Sequence, residues 1–263
     1  MQIPGSSVLL TGASGGLGRA IGRALNARGA TLVLTGRSLD RLEPLARELG
    51  GRAVAADLSR REDVRRLIAE AGAVDVLVAN AGLPASGAVS SFTEEELDRA
   101  LEVNLRAPMV LAHGLAPAMV GRGRGHIVFV SSTAGKAAAP GSAVYSATKY
   151  GLRGFAGGLR GDLHGSGVGV SAVFPGFISE AGMHAEAGVE LPPGVGTKTP
   201  QDVAAAVVRA IERDRAEVDV APLSLRAGTV LAGLAPELAA AVARRMGSQD
   251  LARRFEDAQR ERR

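Results

Sequence analysis

The chain has no cysteine and no tryptophan, and only two tyrosines and three lysines among its 263 residues. Without cysteine there can be no disulfide, no thiolate metal site and no cysteine nucleophile, which accords with a reducing compartment. Aromatic residues make up 3% of the chain, so a core has to be built from Ala, Val and Leu. No apolar run reaches the ~20 residues that span a bilayer. Uncharged stretches such as 163–179 are broken by Gly, Ser and Pro. The opening MQIPGSS lacks the basic start and apolar stretch of a signal peptide. The expectation is a cytoplasmic protein with no transmembrane segment.

Charge of one sign is not scarce, but it is mixed. There are 31 Lys and Arg against 27 Asp and Glu, a net charge of +4. The arginines are interleaved with acids, as in RREDVRR (60–66) and RRFEDAQRERR (253–263), a pattern of solvated helix faces. Nucleic acid is therefore not expected as a partner, although a phosphorylated cofactor would suit the basic excess. His113, His126, His164 and His184 lack metal-ligand spacing, and no metal site is expected.

What is present is an alternation of two periodicities. Short apolar runs at 6–12, 30–36, 51–58 and 74–82 predict buried strands, and 125–132, 168–176 and 216–222 continue the series. Between them, segments at 16–29, 38–50, 59–72, 93–120, 143–164 and 199–214 carry apolar residues at helical spacing, with Leu17, Ile21 and Leu25 in the first. Thr93 and Thr199 predict helix N-caps, the latter followed by Pro200 and Asp202. Strands alternating with such helices predict an α/β fold, a doubly wound seven-stranded parallel sheet with helices on both faces. No linker or repeat divides the chain. Residues 1–222 read as one domain, with an irregular segment at 177–198, and 223–263 as a helical Ala/Arg-rich extension rather than a second domain.

The first strand runs directly into TGASGGLG (11–18). Glycines 12, 16 and 18 there let the backbone turn tightly, and the N–H groups and dipole at the following helix start favour an anion such as a pyrophosphate. A plain glycine turn is the alternative. Near the middle of the chain, AVYSATKYG (143–151) sets Tyr145 and Lys149 one helical turn apart. They read as a proton-transfer couple or as a chance surface pair.

The Gly-x-x-x-Gly-x-Gly spacing resembles that of the short-chain dehydrogenase/reductase family, and further motifs carry the resemblance over about residues 5–222. NAG (80–82) ends the fourth strand. Ser132, in VSSTAG (130–135), precedes Tyr145 by thirteen positions, and Asn104 stands in EVNL (102–105). The resemblance implies a single-domain Rossmann fold and an oxidoreductase using a nicotinamide dinucleotide. It implies Ser132, Tyr145, Lys149 and Asn104 as the catalytic set. Gly12, Ser14, Gly16, Leu17, Gly18, Asp57, Leu58, Asn80, Ala81, Gly82, Pro175, Gly176 and Ile178 would line the cofactor, with Tyr145 and Lys149 reaching it as well. Asp57 and Leu58 fall at the adenine, although Asp57 also reads as an ordinary turn residue. Asn104 would hold a water linking Lys149 to solvent. Relatives have a Thr soon after Pro175-Gly176, where this chain has Ile178 and Ser179.

The second strand ends in LTGRS. Gly36 stands where a carboxylate would meet a ribose 2′-OH, and Arg37 follows with Ser38. A guanidinium with no competing acid favours a 2′-phosphate, which predicts NADP(H) over NAD(H). A solvated loop arginine is the alternative, and Ser14 and Gly15 leave the glycine turn without a second basic residue.

The chemistry expected of the set is an exchange between a carbonyl and a secondary alcohol. A phenol can donate a proton to the carbonyl oxygen, and a neighbouring ammonium is expected to lower its pKa from about 10. Ser132 would fix the substrate oxygen. Phe177, Ile178, Met183, Val189 and Leu191 would form a lid, and with Ala81, Leu83, Pro84 and Ala134 they predict a hydrophobic small-molecule substrate. Ser131 and Tyr150 are expected to point away. On the 143–164 helix, Leu152, Ala156, Leu159 and Leu163 share the inward face with the Tyr–Lys pair. An exposed Phe155 among Gly151, Gly154 and Gly158 predicts a homodimer or homotetramer. A non-catalytic NAD(P)-binding sensor, or an interaction protein whose tail recruits a partner, is the competing reading.

Overall fold

The strands are short apolar runs whose alternate residues face opposite sides, so one sheet must be covered twice. The computed structural model, which describes residues 1–191, 195–245 and 248–259, contains β1 (Ser7–Thr11), β2 (Thr31–Gly36), β3 (Arg52–Ala55), β4 (Val76–Ala79), β5 (Gly125–Val130), β6 (Val168–Pro175) and β7 (Glu217–Val220). They form one parallel sheet in the order β3-β2-β1-β4-β5-β6-β7. The helices are α1 (Gly16–Asn26), α2 (Leu39–Glu48), α3 (Arg61–Ala71), α4 (Glu94–Leu101), α5 (Ala107–Gly121), α6 (Ala143–Asp162), α7 (Met183–Ala187), α8 (Pro200–Arg213), α9 (Leu223–Leu234), α10 (Pro236–Arg245) and α11 (Ser248–Gln259).

Two cores follow from the alternation. Val8 and Leu10 of β1 face Ile21 and Leu25 of α1, Leu42 and Leu45 of α2, and Val203, Val207 and Ile211 of α8. Leu9, between them, faces the opposite side, where Val64 and Leu67 of α3, Leu111 and Leu115 of α5, and Leu152 and Ala156 of α6 pack with Phe129. This is the expected doubly wound arrangement. The sequence order reverses between β1 and β4, so their carboxyl ends open a crevice there, where open α/β sheets bind ligands.

Helix starts follow the expected chemistry. Thr199 Oγ1 accepts from Asp202 N–H at 3.2 Å and Asp202 Oδ2 accepts from Thr199 N–H at 3.0 Å, a reciprocal capping box. Thr93 and Glu96 form a second.

Three expectations need correction. The helix expected over 93–120 is interrupted by a π-turn at Glu102–Arg106, which carries Asn104; such turns concentrate at functional sites. The 177–198 segment, apart from 192–194, which lie outside the described residues, contains the short helix α7. Phe155 is not exposed on the glycine face. It is half-buried and packs edge-on against Phe129, with ring centroids 5.6 Å apart. The exposed face of α6 instead carries Ala143, Ala147, Gly151, Gly154 and Gly158, with Tyr150 beside them. The expected tail helices are present as α9–α11, with 246–247 and 260–263 outside the described residues. Among the described residues no helix is long and apolar enough to cross a membrane.

Candidate active site

The crevice at the carboxyl end of the sheet is a cleft of about 760 Å³. Its floor at one end is the glycine turn. Gly12 has φ +64, and a Cβ there would come within 2.9 Å of the Ala81 Cα. A side chain on Gly18 would collide with the Gly12 carbonyl, and one on Gly16 with Ala181 of the lid. The turn is thus a backbone cradle that any side chain would fill, at the N-terminus of α1. Asn80 ties β4 to it: Nδ2 donates to the Thr11 carbonyl at 3.0 Å, and Thr11 Oγ1 accepts from the N–H groups of Asn80 and Ala81, each at 3.0 Å.

At the β2 end the cleft is lined by Thr35, Gly36, Arg37 and Arg41. Thr35 is buried and its hydroxyl has no partner among the described residues. Asp57 lines the same end and also builds its own turn, since Oδ1 accepts from Ser59 N–H at 3.0 Å and from Ser59 Oγ at 2.8 Å. Asp57 is thus a turn residue whose position also borders the cleft.

At the other end stand Ser132, Tyr145 and Lys149. Ser132 follows β5 and caps a short 3-10 turn, its Oγ accepting from Ala134 N–H at 3.1 Å. That leaves its O–H free to donate, and the Ser132 hydroxyl acts on the Tyr145 phenol to favour the phenolate. Lys149 is 3% exposed, and its ammonium donates to the Val130 carbonyl at 3.2 Å and stands 5.5 Å from the Tyr145 ring centroid. Ser131 is buried and anchors α6 through the Lys149 carbonyl, as a structural residue would.

The expected acidity of the phenol is reversed in this structure. Burial pushes Tyr145 up to about 12, and the Ser132 hydrogen bond only partly opposes this. Burial also pushes Lys149 down to about 8. The ammonium lies over the ring and is tied to a backbone carbonyl, so desolvation outweighs any help it gives to the phenolate.

Nearly every predicted residue lines this one cleft: Gly12, Ser14, Gly16, Leu17, Gly18, Arg37, Asp57, Leu58, Asn80, Ala81, Gly82, Ser132, Tyr145, Lys149, Pro175, Gly176 and Ile178. Two stand apart. Ser38 is the extended residue before α2. Asn104 lies behind the wall, where Oδ1 accepts from Leu83 N–H at 2.7 Å and Nδ2 donates to the Leu83 carbonyl at 3.0 Å. Its side chain is thus committed to the loop after β4. Gly82 fills the space beside it, since a Cβ there would lie 3.3 Å from Asn104 Oδ1 and 3.7 Å from Lys149 Nζ. Ser179 turns its hydroxyl to the Lys198 carbonyl, at 3.2 Å.

Sequence reasoning missed Arg41, His184, Glu186 and Gln259, which also line the cleft. Arg41 was detectable, one helical turn beyond Arg37. The lid's Phe177 packs on His184 and Phe255 of α11, with centroids 5.3 and 6.1 Å away. Among the described residues no group of three or more His, Asp or Glu could hold a metal.

A doubly wound parallel sheet with a glycine cradle at its switch point and a cleft along its carboxyl ends has the architecture of a dinucleotide-binding protein. Residues 6–190 match the short chain dehydrogenase family. The ketoacyl reductase HetN of Nostoc sp. is 39% identical over 227 residues, which cover 83% of this chain and 79% of that protein. The dehydrogenase/reductase SDR family member 7B of Xenopus laevis is 34% identical over 254 residues, 88% of this chain and 78% of that protein. A short-chain dehydrogenase from Sphingobium yanoikuyae, solved in complex with NADPH, superposes with a TM-score of 0.77 at 31% identity, covering 89% of this chain and 94% of that one. The chain belongs to the short-chain dehydrogenase/reductase family.

Proposed function

We propose that this protein is an NADP(H)-dependent oxidoreductase that interconverts a carbonyl and a secondary alcohol on a hydrophobic small molecule. The observation that carries the reading is the convergence of Ser132, Tyr145 and Lys149 in one cleft with the glycine cradle and two guanidinium groups. The residues present fit the cofactor. The 12–18 turn and the start of α1 would hold the pyrophosphate, and Arg37 and Arg41, with Ser38 nearby, a 2′-phosphate. Asp57 and Leu58 would border the adenine, Asn80 to Gly82 the adjoining ribose and phosphates, and Pro175, Gly176 and Ile178 the nicotinamide.

When bound, the dinucleotide supplies or takes up the hydride. The chain's residues handle the oxygen and its proton. With its pKa held near 12, Tyr145 is protonated at neutral pH, the state needed to donate to a carbonyl oxygen as negative charge develops there. Ser132 orients the same oxygen by hydrogen bonding. For the reverse reaction the phenol has to lose its proton, and the positive charge of Lys149 is the chain's own means of favouring that. Leu83, Pro84, Val103 and Met183 give the substrate end its apolar character. The exposed small-residue face of α6 supports assembly as a homodimer or homotetramer.

The test is NADPH consumption against a panel of hydrophobic ketones by wild type and Tyr145→Phe. The phenyl ring should preserve NADPH binding while turnover falls by about a thousandfold, within the range for general acid catalysis. Undiminished turnover in the variant would remove Tyr145 from this role.

A further inference from the structure

Helix α11 lies across the substrate end of the cleft. Four of its residues at helical spacing, Ala252, Phe255, Glu256 and Gln259, form one inward face, while Arg253, Arg254, Asp257 and Ala258 are exposed. Each inward residue meets a different part of the rim. Ala252 lies against Gly141, just before α6, where an added Cβ would come within 2.8 Å of the Ala252 Cβ. Phe255 stacks on Phe177 and tilts against His184 of the lid, 6.1 and 6.0 Å between centroids. Glu256 accepts from Ala88 N–H at 3.1 Å.

The fourth residue, Gln259, reaches the cleft itself, sharing its lining with Tyr145 and Lys149. It is 4% exposed. Its Nε2 donates to the Met183 carbonyl at 3.4 Å, which orients the amide, and its buried Oε1 has no hydrogen-bond partner among the described residues. An orphaned buried acceptor is destabilising, and a Leu or Met at this position would fill the same space without that cost. Leu83, Pro84 and Met183 line the cleft with it, as do the polar His184, Glu186 and Arg99, and Gln259 is the residue of α11 that reaches this lining.

We infer that α11 forms the substrate-side wall of the cleft and that Gln259 Oε1 accepts a hydrogen bond from the substrate, which selects apolar ketones, or the corresponding alcohols, bearing a second donor group such as an amide N–H. This rests on the carbonyl–alcohol reading above and specifies its substrate class. The C-terminal extension is then part of the active site.

The test compares a secondary β-keto amide with its N-methylated tertiary counterpart, which lacks the N–H, in wild type, Gln259→Leu and Gln259→Met. Wild type should prefer the secondary amide by at least tenfold in kcat/KM. Each variant should lose about tenfold on that substrate, mainly through KM, and change less on the tertiary one, so that the preference between the two amides collapses, with no loss of thermal stability. A parallel measurement uses a non-reducible secondary alkyl amide and its N-methyl analogue as ligands for the NADPH-loaded protein. The secondary amide should raise the melting temperature of wild type, and neither variant should respond. Equal effects on both members of a pair, or no effect on either, would overturn the inference. Absence of turnover of every ketone by wild type, with the amide-dependent melting shift intact, would instead sink the oxidoreductase reading and leave the Gln259 contact standing.

Discussion

Asn104 holds both backbone polar groups of one residue, Leu83: its Oδ1 accepts from the Leu83 N–H at 2.7 Å and its Nδ2 donates to the Leu83 carbonyl at 3.0 Å. The π-turn places this amide beside Gly82 and close to Lys149, so the loop that borders the cleft is fixed from behind. Asn104→Ala would leave two inward-facing backbone groups without partners. The expected cost is roughly 2–4 kcal/mol of stability, with a fall in kcat as the wall loosens. Urea denaturation and steady-state kinetics of the same preparation read both effects. An unchanged midpoint would show that the clamp contributes nothing.

That clamp was not legible in the sequence, although Asn104 itself was. Residues 93–120 read as one helix, and nothing in the spacing announces a π-turn or its partner at Leu83. The sheet was legible because each strand is a compact apolar run between turn residues, and the glycine cradle because its glycines fall between a strand and a helix. Phe155 was misplaced for a geometric reason. It lies about 80° around the helix from Tyr145 at 100° per residue, on the flank of the inward face, and its partner Phe129 comes from a distant strand. The acidity of Tyr145 was read with the wrong sign because burial, which dominates it, has no local signature. The stripe Ala252, Phe255, Glu256 and Gln259 is visible as a periodicity, but only the path of the chain brings it back to the lid.

Arg37 and Arg41 give the cofactor preference a sharp test. Both are exposed side chains at the β2 end of the cleft, where no carboxylate follows Thr35 and Gly36. Each charge-assisted contact to a 2′-phosphate is worth a modest amount at an exposed site. Arg37→Ala and Arg41→Ala should each weaken NADPH binding about tenfold and leave NADH binding within twofold. Fluorescence titration with the two dinucleotides measures this directly, and raising the salt concentration should narrow the wild-type preference.

His126 should make the fold acid-sensitive. It is 1% exposed at the start of β5, with Nε2 and Ser171 Oγ 2.8 Å apart, and burial pushes its pKa from 6.5 down to about 4. Between those values the unfolded chain binds the proton and the folded chain does not. Stability contributed by this site is therefore complete above about pH 6.5 and is lost as pH falls towards 4, by on the order of 3 kcal/mol. His126→Gln, which keeps a hydrogen-bonding group towards Ser171, should flatten the pH dependence in this window. Unfolding curves at pH 7, 5.5 and 4.5 for both proteins decide it.

Lys149 should show a slope of the same sign, on the alkaline side. Its pKa is pushed from 10.5 down to about 8 by burial, so between those values the unfolded chain holds a proton that the folded chain has released. The unfolding free energy must then rise with pH across this interval. Below pH 8 the folded protein carries a buried ammonium whose cost, on the order of 3 kcal/mol from the shift, is fully present; above about 10.5 both states are neutral and the cost is gone. Lys149→Met removes the group. The variant should be at least as stable as wild type at pH 7, despite leaving the Val130 carbonyl without its donor, and should lose that advantage as pH rises from 8 to 10. Tyr145, held near 12, contributes in the reverse sense only above pH 10 and is common to both proteins. Turnover should be abolished in the same variant, so a residue that weakens the fold at neutral pH would be retained for what its charge does to the phenol. A stability difference that does not change between pH 7 and 10 would mean that Lys149 is not buried as a cation.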